Sequence, residues 1–398
     1  MPDGALSGLR ILDLTQGSFD YAGRLLAGLG ADVIKVEPLT GDPVRGMPPF
    51  PGDTPHAETS ARHLHLNAAK RSVVIDLESE DGRDALRRLV ANSDALIESF
   101  APGYLAARGI AYDDLAALKP DLVMASVTHF GQDGPYAGYQ GAEIVDVALG
   151  GYLKLTGDAD REPVKPYDDL TTEHAAVHAA AAVVIGLFHR DATGEGDWFD
   201  VAAIDAALFL LGGVAQIHHF DGAIPVRHGA RLMFNNPRYP YPSTIRPCLG
   251  GFVHAHSNNR DAQLLAVLMP GLGLEELLDT PMGNADAIDE KMDEWLADKS
   301  KFEAVRRAQE LRLPFTEVLT PEEILADPHL AARHFLVELP HPVAPPSAQP
   351  GAAAIMTGTP WRHERAPLLG EHTDEVLTTV LGLEAVEVAA LRERGVIA

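Results

Sequence analysis

Two neighbouring carboxylates, in the string Tyr167-Asp168-Asp169-Leu170, stand just ahead of an Ala/Val-rich run over residues 175–188. A polar Asp/Thr cluster before an apolar run reads as the N-cap of a helix buried on most sides. Backbone N–H groups and the helix dipole keep a carboxylate ionised at such a position. An ionised carboxylate beside a bound electrophile is a nucleophile; the same residues are also an ordinary way to begin a helix. His174 and His178 interrupt the run, and its length is expected to fall short of a bilayer. His189-Arg190 and the turn Ala192-Thr193-Gly194-Glu195-Gly196 close it. No spacing of His, Cys and carboxylates suggests a metal site.

The elements that must position these carboxylates begin near the N-terminus. Leu9-Arg10-Ile11-Leu12-Asp13-Leu14 is a short apolar strand, residues 21–29 form a helix stopped by Gly30, and residues 31–37 form a second strand. Strand, helix and strand within such a span make a βαβ unit, so a parallel sheet with right-handed crossovers is expected. Gly28 and Gly30 close the helix instead of opening it, so a dinucleotide fingerprint is excluded. The theme repeats in a strand at 73–77, a helix at 81–91, a strand at 95–98, a helix at 112–118 and a strand at 122–127. The fold class is therefore α/β, with a Rossmann-like, doubly wound large domain. Ligands in such sheets sit beyond the carboxyl ends of the strands, near Thr15, Pro38, Ser99 and Thr128.

Composition narrows the function classes. A chain of 398 residues exceeds a single core's usual size, so at least two domains are expected. The net charge of −25 argues against a nucleic-acid partner. Residues 1–75 carry seven basic against eight acidic side chains, the least repulsive part of the chain for an anionic ligand. The opening Met1-Pro2-Asp3 has no leader-like character, and the single cysteine, Cys248, reads as a small buried apolar residue. A cytoplasmic protein with no membrane partner is expected.

Several stretches together resemble the family III CoA-transferases, which include formyl-CoA and carnitine CoA-transferases and the α-methylacyl-CoA racemases. They are residues 6–15 and 24–38, Gly41-Asp42-Pro43-Val44-Arg45, Asn67-Ala68-Ala69-Lys70-Arg71-Ser72, Phe130-Gly131-Gln132-Asp133-Gly134-Pro135-Tyr136, Ala148-Leu149-Gly150-Gly151, residues 321–330, and residues 367–373. The resemblance implies a large domain built from both chain ends, an inserted small α+β domain, and two subunits threaded into an interlocked dimer. The expected division is residues 1–220 and 336–398 for the large domain and 221–335 for linker and small domain. Residues 221–247 read as a long connection, 261–310 as a helical, acidic block, 340–360 as irregular, and 373–381 as a C-terminal helix.

The resemblance further implies transfer of coenzyme A, held as acyl-CoA, to a carboxylic acid without a metal. An active-site Asp attacks the thioester, giving enzyme anhydride and enzyme thioester intermediates. Carried over by residue, the resemblance places Gln16, Gly17, Arg45, Lys70, Ser99, Phe100 and Arg108 at the CoA. Arg108 stands one place after Ala107, where the family carries its Arg. Ala142 occupies the position of the racemase base, which disfavours a racemase. Counting back from Arg190 puts the nucleophile at Thr172, and an allowance of about three residues, near one helical turn, brings Asp169 into register. Glu173 is the fallback. A homodimer is expected, with a second reading in which the chain is the inactive or regulatory subunit of a heteromer. His63, His65, His129, His218, His219, Tyr139 and Tyr152 are candidates for contact with the acid, whose identity the sequence leaves open.

Overall fold

The computed structural model describes residues 4–233, 238–258 and 260–398. Met1-Pro2-Asp3 lies outside the described residues, as do 234–237 of the expected connection.

Six strands form one parallel sheet: β1 (Arg10–Leu14), β2 (Asp32–Glu37), β3 (Arg71–Val74), β4 (Ala95–Glu98), β5 (Val123–Thr128) and β6 (Asp197–Ala202). Their order is β3-β2-β1-β4-β5-β6, all parallel. The α-helices between them are α1 (Tyr21–Gly28), α2 (Ala61–Leu66), α3 (Glu80–Ala91), α4 (Tyr112–Leu118), α5 (Glu143–Leu149) and α6 (Leu170–Thr193), and α7 (Ala203–Leu210) follows β6. Alternating strand residues serve two cores. Leu12, Leu14, Ile34 and Leu96 pack with Leu86 and Leu89 of α3 and Leu115 of α4. Ile11, Val33, Ile97 and Val123 pack with Leu26 of α1, the alanines of α6 and Ala203 of α7.

The chain divides into two compact units. The first comprises Met1–Tyr152, Pro166–Gly213 and His329–Ala398, so both ends contribute to it. The second comprises Leu153–Lys165 and Val214–Pro328, and thus includes a short segment ahead of α6. It holds α8 (Val214–Asp221), the antiparallel hairpin β7 (Ser243–Cys248) and β8 (Gly251–His256), then α9 (Gln263–Leu268), α10 (Ala285–Leu296), α11 (Lys301–Glu310), β9 (Thr316–Glu317) and α12 (Pro321–Leu325). Its own core gathers Val253, Leu265, Ile288, Met292, Trp295 and Phe315. Buried Asp289 accepts a hydrogen bond from the Tyr241 hydroxyl at 2.6 Å and pairs with Arg246 at 2.8 Å. Cys248 closes β7 and is half-buried, not buried. After α13 (Pro328–Ala332) comes a second hairpin, β10 (Leu336–Leu339) with β11 (Ser347–Pro350), then α14 (Thr373–Thr379) and α15 (Ala385–Glu393). Val376 and Leu377 of α14 and Val388 of α15 enter the first core, which ties the chain's end to the sheet.

Two expectations about α6 need correction. The helix has 24 residues and by length and composition alone could cross a membrane, so shortness does not argue against a span. Nor is it buried on most sides. Thr171, Ala175, Ala176, Ala179, Val183 and Leu187 are buried at helical spacing against the sheet, whereas Ile185 and Phe188 on the other side are 62% and 79% exposed.

Candidate active site

The strand order reverses direction between β1 and β4, and the loops leaving these two strands part there. Gln16 and Gly17 follow β1; Ser99 and Phe100 follow β4. The Gln16 backbone N–H donates to Ser99 Oγ at 2.8 Å, stitching the two loops together. Gly17 has φ +64°, a left-handed turn that glycine takes without steric cost, and a short 3₁₀ turn over Gly17–Asp20 follows. Its Ser18 hydroxyl donates to Asp169 Oδ2, joining the loop after β1 to the start of α6.

Beneath this turn lies a buried ionic lattice. Lys35 of β2 pairs with Asp20 at 2.6 Å and Asp42 at 2.8 Å. Lys70 pairs with Asp13 of β1 at 2.7 Å and donates to the Asp20 carbonyl at 2.7 Å and Asn67 Oδ1 at 2.9 Å. All of these charged groups are nearly inaccessible, so each depends on its partners for the solvation water no longer provides. Burial and the nearby Asp42 push Asp20 up to about 7, against the pull of Lys35. Burial also opposes ionisation of Asp13, but Lys70 and Lys35 outweigh it and hold that carboxyl below its ordinary range. The lattice fixes the path of the turn that carries Gln16, Gly17 and Ser18. Charged residues inside apolar strands, as in Leu12-Asp13-Leu14 and Ile34-Lys35-Val36, were its signal in the sequence.

Asp169 stands immediately before α6, yet its side chain makes no capping bond to the helix. Glu143, on α5 and buried, takes that role. Its carboxylate accepts the backbone N–H groups of Thr171 and Thr172, both at 3.0 Å, and their hydroxyls at 2.6 and 2.9 Å. The expected stabilisation of Asp169 by helix N–H groups is therefore replaced by two side chains, the Ser18 hydroxyl and Arg62. Arg62, on α2, meets Asp169 Oδ2 through Nη1 at 2.7 Å and Asp168 through Nη2. The Asp169 side chain keeps 28% of its surface open. Glu173, one turn into α6, is pushed up to about 7 by burial and then by Asp168 and Asp169. Thr172 is buried and committed to Glu143.

The other expected residues separate into two groups. Gln16, Gly17, Ser99 and Phe100 converge at the strand ends, where Phe100 stacks on Tyr104 with ring centroids 4.3 Å apart. Arg108 lies over the other face of Tyr104 at 3.5 Å and holds Glu78 Oε1 and Oε2 at 2.7 and 2.8 Å. Phe100, Tyr104 and Arg108 thus form a stacked column beside the strand ends. Lys70 is inside the lattice. Arg45 is also buried, clasped by Glu37 at 2.6 and 2.8 Å and by Glu58 at 2.8 Å. Burial raises the cost of ionising Glu37, but the Arg45 contacts prevail and lower it to about 2. Both cations are spent on partners within the chain.

His129 packs edge-on against Phe19 of the Ser18 turn, with ring centroids 5.3 Å apart, and its Nδ1 lies 2.7 Å from buried Asp146. His63 is buried with Nε2 3.1 Å from the Pro367 carbonyl, and His65 stacks on Tyr21. His218 and His219 belong to α8 of the second unit, and Tyr139 packs edge-on to Phe130. Glu143, Ser18 and Arg62 were missed in the sequence, because each meets the Asp168–Asp169 turn or α6 across a long separation in the chain. Among the described residues, no three His, Cys, Asp or Glu side chains converge as metal ligands would.

A half-open carboxylate at the head of a helix, next to loops that meet at the sheet's switch point, is suited to nucleophilic attack on a ligand lying across those loops. The sequence profile of CoA-transferase family III matches residues 6–373. The chain belongs to that family. It is 33% identical to the succinyl-CoA:(R)-benzylsuccinate CoA-transferase subunit BbsE of Thauera aromatica, over 98% of each chain. To the formyl-CoA:oxalate CoA-transferase of Streptomyces avermitilis it is 30% identical over 99% of each. A crystal structure of a CAIB/BAIF family protein from Brucella suis superposes with a TM-score of 0.84 at 27% identity, covering 95% of this chain and 100% of that one. Membership of this family makes the chain an enzyme of the transferase class.

Proposed function

We propose that Asp169 is the nucleophile of this CoA-transferase. Asp169 attacks the acyl-CoA carbonyl; a C–O bond forms, the C–S bond breaks, and CoA leaves as thiolate. The thiolate attacks the aspartyl carbonyl of the mixed anhydride, giving an enzyme thioester and releasing the donor acid. The acceptor carboxylate attacks that thioester and expels the thiolate again. The thiolate then takes the acceptor's acyl group and restores Asp169. Splitting the exchange in this way replaces one difficult displacement by several easier ones.

The observation that carries this reading is the Ser18–Asp169 contact, which puts the carboxylate beside the loop after β1 with part of its surface open. Residues Gln16, Gly17, Ser99 and Phe100 would line the pantetheine path, with Arg108 beside the nucleotide. Lys70 and Arg45 would act from beneath, by holding the loops. Asp169→Ala should abolish exchange between acyl-CoA and labelled acid while leaving CoA affinity within about twofold. Retained turnover would remove Asp169 from the mechanism.

We take the assembly to be an interlocked dimer. Ile185 and Phe188 of α6 and Phe209 of α7, the last 75% exposed, offer an apolar face suited to a second chain. The name of the Thauera relative, a subunit, favours a second reading in which this chain works beside another family member. Sedimentation of the purified chain, and assay with and without a second family member, separate the two.

A further inference from the structure

We propose that Arg62 carries the acceptor's carboxylate to the acylated enzyme, alternating between that carboxylate and Asp169. The inference rests on Asp169 being the nucleophile. One guanidinium spans two carboxylates: Nη1 lies 2.7 Å from Asp169 Oδ2, while Nη2 holds Asp168. Asp168 sits in the left-handed region at φ +59°, uncommon for a residue with a side chain, and in that conformation meets Arg62. Arg62 and Asp169 keep 27% and 28% of their side-chain surface open, so a dissolved acid can reach the pair.

Acylation changes the balance. An anhydride or thioester at Asp169 carries no charge, and its oxygen is a weaker acceptor than a carboxylate. Asp168 still anchors Nη2, but Nη1 then faces a neutral group. A free carboxylate restores the lost ion pair, and it does so within bonding reach of the aspartyl carbonyl. There the acceptor oxygen adds to the thioester carbon, the C–S bond breaks, and CoA leaves as thiolate. When the thiolate takes the acyl group, Asp169 regains its charge and reclaims Nη1, which loosens the product. The device admits acids only as carboxylate anions, and only after the first half-reaction.

The test uses full-length Arg62→Gln and Arg62→Lys in steady-state assays varying acyl-CoA and acid separately. Loss of one charged hydrogen bond predicts an acid KM roughly ten- to a hundredfold higher in the Gln variant, a smaller rise in the Lys variant, and a clearly lesser effect on the acyl-CoA KM. Hydroxylamine trapping at Asp169 without acceptor monitors the first half-reaction alone. If Arg62→Gln raises both KM values equally, or lowers only kcat, Arg62 merely supports Asp169 and the proposal fails. A wild-type enzyme that yields no adduct at Asp169 removes the nucleophile itself, a result distinct from either.

Discussion

Glu143→Gln should loosen the first turn of α6 and slow the reaction carried out just ahead of it. Glu143 is 8% exposed, and its carboxylate accepts four hydrogen bonds, three of them at Oε2. A glutamine offers one carbonyl oxygen, so its NH₂ must face a donor on Thr171 or Thr172 whichever way the amide is turned. The helix also loses a full negative charge at its positive end. Weighing the lost charged bonds against those the amide retains gives a cost of about 3 kcal/mol. For a unit the size of the one built on this sheet, that corresponds to a fall in melting temperature of roughly 5 °C. Asp169 directly precedes the loosened turn, so kcat should fall roughly tenfold or more, with less change in the acyl-CoA KM. Scanning calorimetry and initial rates on one preparation measure both. A variant that melts within about 1 °C of wild type and keeps its kcat would show that Glu143 neither caps α6 nor positions Asp169.

Burial pushes Glu98 from an ordinary 4.5 up to about 7, so the folded protein holds that proton more tightly than the unfolded chain does. Its stabilising contribution is full below about 4.5 and is lost as pH rises towards 7. Glu98→Gln should flatten melting temperature over that window and raise it at alkaline pH; an unchanged pH profile would contradict this. Gly23→Ala places a Cβ 2.0 Å from Asp13 Oδ2 and 3.0 Å from Lys70 Cε. Disrupting that buried pair should cost about 3 kcal/mol, read as a lower urea midpoint. Arg108→Ala should weaken CoA binding severalfold in calorimetry and leave the melting temperature nearly unchanged, because its pair with Glu78 is at the surface.

The sheet was largely legible. Five of its strands announce themselves as apolar runs with short helices between them, and periodicity places each within a few residues. Strand β6 escaped because Asp197-Trp198-Phe199-Asp200-Val201-Ala202 follows a turn and carries acids that break the apolar pattern. The β7–β8 hairpin escaped for a related reason, since Pro247 near its end reads as a breaker. At the site, local sequence located Asp169 ahead of a helix but could not name its partners. Ser18 lies 151 residues away and Arg62 lies 107 away, and the capping Glu143 comes from another helix. Arg45 and Lys70 show the converse limit. A motif displays the basic residue but not the carboxylates, Glu37 and Glu58 for Arg45 and Asp13 for Lys70, that fold around it.

The most direct test of Asp169 is hydroxylamine trapping during turnover, followed by peptide mass mapping across residues 166–190. Asp169 as nucleophile predicts a hydroxamate on that residue alone, dependent on acyl-CoA and absent from Asp169→Ala. A hydroxamate on Glu173, or none while CoA transfer proceeds, would contradict it.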